Sequence, residues 1–384
     1  IIVGLAMGTT VTIGHSVGAK CMEQAEKIIG NTITLFMGIA VAFTVILVAL
    51  VKPIVVLIAT PQEAVAGTSI YLLICFIGIP FITAYNIISS IFRGLGDSKS
   101  PMYFIGIACV MNIALDYLFM GAFHMGAAGA ALGTVCAQTF SVLVALWVIR
   151  RRKTGISLKK SDFKIERAVI GQVLKIGIPV ALQDGFIQVA FMIITVIANS
   201  RGVSDAAAVG IVEKVISALF IVPSSMLATV SALSAQNFGA GKEKRATDTL
   251  RYATVITTIY GVIVAVLIQF IAENVVGIFT SDTTVVTMGS AYIRSYIWDC
   301  IFAGIHFSFS GYFAACGKSY IGFLHNIISI TFVRVPGSYL ASKYFTDTLY
   351  PMGLAAPAGS LVSVAICVTA FILLKRKSRV AQTA

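Results

Sequence analysis

Charge is what this chain of 384 residues has least of. Asp, Glu, Lys and Arg together make up 11% of it. A soluble domain carries about 25%. With 58% hydrophobic residues and a mean hydropathy of +0.94, the scarcity excludes every soluble globular class. Cysteine pairs are also missing. None of the seven cysteines (Cys21, Cys75, Cys109, Cys136, Cys300, Cys316, Cys367) forms a CxxC, and most lie inside apolar runs. They read as small core residues, not as disulfides or metal ligands. There is no P-loop, no GxSxG and no HExxH, so ATP hydrolysis and familiar enzymatic chemistry are not indicated. The protein is read as a non-enzyme without a cofactor. Strict apolar–polar alternation is lacking too, which argues against a β-barrel. A signal peptide is absent: Ile1 stands inside an apolar segment with neither Met nor n-region, as in a chain that has lost its beginning.

What is present is a series of long apolar runs. Reading between charges gives eleven spans: 1–17, 28–51, 65–91, 101–122, 127–149, 176–199, 206–236, 247–272, 286–315, 320–342 and 351–374. A bilayer core of about 30 Å needs about 20 such residues. The fold class is therefore all-α and polytopic. Placing the basic tail Lys375–Arg379 in the cytoplasm and alternating backwards puts most of the 28 Lys and Arg residues on that side. Outside loops hold only Lys52, Arg201 and Lys343. This is the positive-inside pattern of a multi-pass cell-membrane protein with a cytoplasmic C-terminus. The net charge of +12 thus matches anionic lipid and topology, with no nucleic-acid partner implied.

The basic stretch 150–175 divides the chain. Phe163, Ile165, Val169, Ile170, Val173 and Leu174, interleaved with Lys and Arg, predict a helix lying on the cytoplasmic surface. The two sides repeat each other. Gly18-Ala19 matches Gly239-Ala240, Ala25 matches Ala246 and Tyr71 matches Tyr292. Phe92, Gly96 and Ser98 match Phe313, Gly317 and Ser319, all at an offset of 221. MGAAGAALGTV (125–135) resembles MGLAAPAGSLV (352–362) at offset 227. A constant offset across separate loops and spans marks an internal repeat. The second copy has six spans and the first shows five, so a twelve-helix protein lacking its first helix here is expected. The predicted organisation is an N-lobe over 1–149, a linker over 150–175, a C-lobe over 176–374 and a basic tail over 375–384. Six helices per lobe make the repeats parallel, with substrate between the halves and kinks at Pro80, Pro179, Pro223, Pro336 and Pro357.

The polar residues within the spans carry the chemistry. Asp116 is a lone carboxylate in a run uncharged from Ser100 to Ile149. Such a residue is costly in lipid and by default functional. Asn112, four residues earlier, shares its helical face. Counting about 1.5 Å per residue from the span ends puts Thr134 at a level similar to Asp116, roughly 10 Å down. Amide, carboxylate and hydroxyl at one level suit a proton or a sodium ion, although a Thr bonded to its own helix is the ordinary alternative. The second copy has Val333 and Gly337 in place of Asn112 and Asp116. It carries instead Asp184 with Gln183 and Gln188 after the Pro179 break, and Arg294, Asp299 and Arg334. An Arg334–Asp299 ion pair is expected, with a structural role at least as ready as a transport one. Glu213 and Lys214 are consecutive and cannot share a face. His15, His306 and His325 show no metal spacing and read as hydrogen-bonded helix residues.

The stretches FRGLGDSKSPM (92–102), NIALDYLF (112–119), MGAAGAALGTVCAQ (125–138) and AQNFGAGKEKRA (235–246) together resemble the multidrug and toxic compound extrusion (MATE) family. The resemblance covers essentially the whole chain, from the family's second helix to its last. It implies two six-helix lobes and export of organic cations and other amphiphiles in exchange for protons or sodium. It also implies a cation site of Asn112, Asp116 and Thr134, completed by an Asp on the first helix. A second-lobe site, a Glu on the seventh helix with an Asp on the tenth, is matched only loosely by Asp299. Gln183, Asp184, Gln188, Asp299 and Arg334 are left as residues of a substrate cavity. The expected reading is a monomeric cation-coupled antiporter in the lipid bilayer, with small amphiphilic or cationic substrates. The alternative is a flippase for a lipid-linked oligosaccharide or peptidoglycan precursor, which a strongly basic cavity would favour.

Overall fold

The computed structural model describes residues 2–57, 61–151 and 157–383, with side chains through residue 376. Ile1, residues 152–156 of the expected linker, the tail side chains Lys377 and Arg379, and Ala384 lie outside the described residues. The first half holds α1 (Ile2–Gly18), α2 (Met22–Ala49), α3 (Val51–Leu57), α4 (Val65–Gly94), α5 (Lys99–Asp116) and α6 (Gly126–Arg151). The second holds α7 (Arg167–Asn199), α8 (Val203–Leu219), α9 (Ile221–Gly239), α10 (Glu243–Gly277) and α11 (Thr283–Tyr296). It continues with α12 (Asp299–Ala315), α13 (Ser319–Ser329), α14 (Val335–Tyr344) and α15 (Tyr350–Thr383). No strand occurs among the described residues.

Over their described residues all eleven expected spans are helical, and several are interrupted. Phe220 separates α8 from α9, and Ile297 and Trp298 separate α11 from α12. A π-helical segment, Tyr117–Ala122, follows α5, and another, Ile330–Arg334, joins α13 to α14. The prolines explain part of this. Pro223 lies in the first turn of α9 and Pro336 at the start of α14, where a missing N–H is tolerated. Pro80, Pro179 and Pro357 lie inside α4, α7 and α15. Where a segment widens to π, the backbone ladder loosens without exposing unpaired groups to lipid.

The repeat is visible in the backbone. Lys20 and Gly241 have φ of 60° and 70°; Gly96 and Gly317 have 91° and 70°. Each ends a helix in the same way. The N–H of the next residue bonds back five residues along the chain: Cys21 to Ser16 O, Lys242 to Asn237 O, Asp97 to Phe92 O and Lys318 to Phe313 O, all at 2.8–2.9 Å. These are Schellman caps, whose left-handed residue is normally Gly. Lys20 holds that conformation with a Cβ, at a cost of about 1 kcal/mol. Lys20→Gly is therefore expected to stabilise the protein by about 1 kcal/mol and Gly241→Lys to destabilise it by as much. Thermal unfolding in detergent checks both signs.

The chain divides into two compact units. The N-terminal unit runs from Gly8 to Leu174, and the C-terminal unit from Lys175 onward, with Val3–Met7 grouped with the latter. The reason is local. Ser231 of α9 donates to the Met7 sulfur at 2.9 Å, and Gly177 of α7 leaves no room for a Cβ beside Leu5. The first turns of α1 thus pack against α7 and α9.

The predicted surface helix over 163–174 is not a separate element. Lys160–Phe163 is a 3₁₀ turn, and Arg167 already begins the long helix α7. The turn is strapped to α2. Asn31 donates to Asp162 O at 3.1 Å and accepts from Glu166 N–H at 2.7 Å; Thr34 donates to Phe163 O at 3.0 Å. Satisfying backbone groups in this way holds an irregular segment that lacks a helix ladder of its own.

Candidate functional site

In the N-terminal unit, α5 and α6 bring three polar side chains together. Asn112 Nδ2 lies 3.4 Å from Asp116 Oδ1 and 3.5 Å from Thr134 Oγ1. Both contacts are at the long limit of a hydrogen bond, so neither locks the carboxylate. Thr134 also donates to Ala130 O at 3.1 Å, the bond to its own turn considered above, while keeping a lone pair toward the site. Asn112 and Asp116 are half-buried and Thr134 is exposed. Asp116 is the last residue of α5 before the π-helical segment. Gly133, one residue before Thr134, faces the carboxylate so closely that any Cβ there would occupy the place of Asp116 Oδ1. The sequence stretch GAAGAALG supplies this gap, and Gly133 is a site residue that spacing arguments missed.

The C-terminal unit is built on the opposite charge. Arg334, at the end of the second π-helical segment, lays its guanidinium between two rings. Its Cζ is 5.1 Å from the Phe191 centroid and 5.5 Å from that of Tyr296. It also donates to the Tyr296 hydroxyl. The expected direct pair with Asp299 does not form. No salt bridge joins them among the described residues; Asp299 Oδ1 and Arg334 Nε are buried without a partner. The aromatic clamp and the Tyr296 hydroxyl take the guanidinium instead. Asp299 sits in the first turn of α12, where the positive end of the helix dipole favours a carboxylate. Arg294 is bound to α10. It reaches Glu273 at 3.2 Å and Gln269 O at 3.2 Å.

The three residues near Pro179 part company. Gln183 is wholly buried, beside Gly322, with neither amide atom hydrogen-bonded. Asp184 is half-buried and Gln188 exposed. Positions four apart share a face, so Asp184 goes with Gln188 and Gln183 turns inward. His325 pairs with Ser310 at 2.8 Å and His306 with Ser360 at 3.4 Å, as hydrogen-bonded helix residues do. Glu213 of α8 accepts from Thr195 at 3.4 Å while Lys214 is exposed. Tyr296 and Phe191 carried no signal in the sequence: an aromatic residue in an apolar span looks like any other packing residue.

Among the described residues the protein is all-helical, with helices long and apolar enough to cross a membrane and polar clusters around Asp116 and Arg334. The chain belongs to the MatE family, which it matches over residues 1–118 and 179–340. It is 30% identical over 354 residues to the probable multidrug resistance protein YpnP of Bacillus subtilis, covering 92% of this chain and 79% of that one. It is 24% identical to the multidrug export protein MepA of Staphylococcus aureus, over 81% of this chain and 69% of that one. Two solved structures share the fold at 19% identity. The crystal structure of MATE in complex with MaL6 gives a TM-score of 0.92 over 100% of this chain and 86% of that one. The outward-facing conformation of a multidrug resistance MATE family transporter gives 0.91 over 100% and 85%.

Proposed function

We propose that this protein exports amphiphilic organic cations, driven by protons or sodium entering at Asp116. The observation that carries the reading is the loosely held carboxylate of Asp116. It stands on a membrane-spanning element 3.4 Å from Asn112, which in turn lies 3.5 Å from Thr134, and the missing Cβ of Gly133 leaves the place that its Oδ1 fills. A carboxylate fully bonded within the protein would have nothing left to offer an ion; this one has free acceptor capacity. An ion bound there stabilises the conformation that holds it best, and substrate is released through that coupling. The relatives named for multidrug resistance and export support drug-like substrates. The concentration of Lys and Arg in one set of loops supports a cytoplasmic C-terminus in the cell membrane.

Reconstituted protein in liposomes loaded with a fluorescent organic cation tests the proposal. Efflux is expected when a proton or a sodium gradient is imposed, and the effective gradient names the ion. No efflux under either gradient, with protein shown to be folded, would overturn ion coupling.

A further inference from the structure

Helix α5 has two working faces. Asn112 and Asp116 lie beside Thr134 and Gly133 of α6. On another side, Met102, Tyr103, Gly106, Val110 and Met111 line a groove of about 440 Å³ together with Phe140 of α6. A Cβ built at Gly106 meets no atom within 4 Å, so its missing side chain leaves open space there. The stretch from Met102 to Met111 rises by about 14 Å at about 1.5 Å per residue. That is close to half of a hydrocarbon core of about 30 Å, the depth that the acyl chains of one leaflet fill.

One end of the groove is basic. Lys99 is exposed at the start of α5, one turn before Met102 and Tyr103, and shares their face. Arg151 is exposed at the end of α6 and lies over the ring of Trp147, with its Cζ 5.2 Å from the centroid. Trp147 in turn is two turns from Phe140 on one face. The two helices are antiparallel neighbours. Ser141 donates to Phe104 O at 2.8 Å and Phe104 packs with Ala145, which brings Lys99 and Arg151 to the same end. Arg150 is exposed there too, and Arg152 and Lys153 follow in the sequence. The acidic residue before Lys99, Asp97, is taken up by the start of α5: it accepts from the N–H groups of Lys99 and Ser100 at 3.0 Å and from the Ser100 hydroxyl. Tyr103 and Trp147 are exposed one turn inward of Lys99 and Arg151, as aromatic residues at headgroup level are. The second copy lacks this arrangement. Tyr320, Ile327 and Leu374 stand at the places of Lys99, Gly106 and Trp147, so the groove is no by-product of the repeat. A cationic amphiphile would meet like charge at this end, whereas an anionic headgroup finds its complement.

We infer that the groove is a binding site for one anionic phospholipid, its acyl chain lying along Gly106 and its phosphate held at the Lys99 and Arg151 end. The site is separate from the proposed ion coupling and does not depend on Asp116.

The test uses the full-length protein purified in detergent and stripped of lipid. Its melting temperature is measured with dioleoyl phosphatidylglycerol, with dioleoyl phosphatidylcholine at equal mole fraction, and with glycerol phosphate alone. Phosphatidylglycerol is expected to raise it by roughly 4 °C more than phosphatidylcholine, and glycerol phosphate not at all. Gly106→Leu fills the groove and is expected to abolish that difference. Gly38→Leu, at a position of α2 where a Cβ is equally open, is expected to keep it. Lys99→Gln combined with Arg150→Gln and Arg151→Gln is expected to leave the response to phosphatidylcholine and to remove most of the excess. Should Gly106→Leu fail to fold, Val110→Trp, on the same face and 67% exposed, blocks the groove instead. Asp116→Asn is expected to keep the lipid response, so that failure of the coupling reading leaves this one standing. Equal responses of the native protein to the two lipids, or a folded Gly106→Leu variant with the excess intact, would overturn the inference. A response to glycerol phosphate as large as that to the lipid would overturn it as well, in favour of a site for free phosphate.

Discussion

Gradient-driven efflux is expected to fall by tens-fold in Asp116→Asn, and by a similar factor in Gly133→Val, which keeps the carboxylate but displaces it. The first change keeps the shape of the side chain and removes its charge. Neither a proton nor sodium then distinguishes one conformation from another. A coupling free energy of about 1–3 kcal/mol corresponds to about 5–150-fold, which sets the scale of the loss. Gly133→Val acts by position. The Gly133 Cβ direction points at Asp116 Oδ1, and the backbone N–H of Asp116 lies 3.5 Å from that point. Any side chain there must drive the carboxylate out of its place near Asn112 and Thr134. Thr134→Ala removes only one neutral partner held at 3.5 Å, so a smaller loss is expected. Initial rates of dye efflux under matched gradients rank the three. Equal effects of Thr134→Ala and Gly133→Val would mean that the gap beside Asp116 has no part in coupling. Unchanged efflux in Asp116→Asn would remove the site altogether.

The features that were legible in the sequence are those that depend on length, hydropathy and helical period. Runs as long as a bilayer is thick gave eleven helical spans, because lipid admits few alternatives for a continuous apolar run. Asn112 and Asp116 were placed together because a spacing of four is one turn. Thr134 joined them because antiparallel neighbours can be levelled by counting residues from their ends. The interruptions were less legible. Nothing in the hydropathy of 206–236 or 286–315 marks Phe220 or Trp298 as a break, since both residues are as apolar as the spans around them. Pairing across helices was less legible still. Arg294 and Arg334 lie at similar distances from their span ends, yet one binds Glu273 on α10 and the other is clamped by Phe191 and Tyr296. Which partner an arginine finds depends on which helices are adjacent, and a repeat offset does not report that. The glycines divide in the same way: Gly96 and Gly317 were legible as repeat markers and close equivalent helix caps, whereas the close approach at Gly133 was visible only with α5 in place.

Substituting alanine at two helical glycines of the C-terminal unit is expected to give opposite signs. Gly210 lies inside α8 with no atom of another element within 4 Å of a Cβ built there. Gly210→Ala restricts the unfolded chain and meets nothing in the folded one, so a gain of roughly 0.5–1 kcal/mol is expected. Gly311 lies in α12, where that helix crosses α9. A Cβ there would stand 2.5 Å from Leu227 O and 3.2 Å from Ser231 N. Both are backbone atoms of a packed helix and have no rotamer by which to give way. Relief requires α9 and α12 to move apart, opening the core in which Val230 packs with Phe309 and Phe313. Overpacking of this kind costs about 1–3 kcal/mol, and a rigid backbone on one side puts Gly311→Ala at the upper end. Small residues of this sort let membrane helices approach closely where no hydrophobic effect drives them together. Thermal or denaturant unfolding of the two single variants measures the difference. Two losses of equal size would mean that helix propensity, and not the α9–α12 crossing, governs both positions. Two gains would place that crossing farther apart than 2.5 Å from Leu227 O allows.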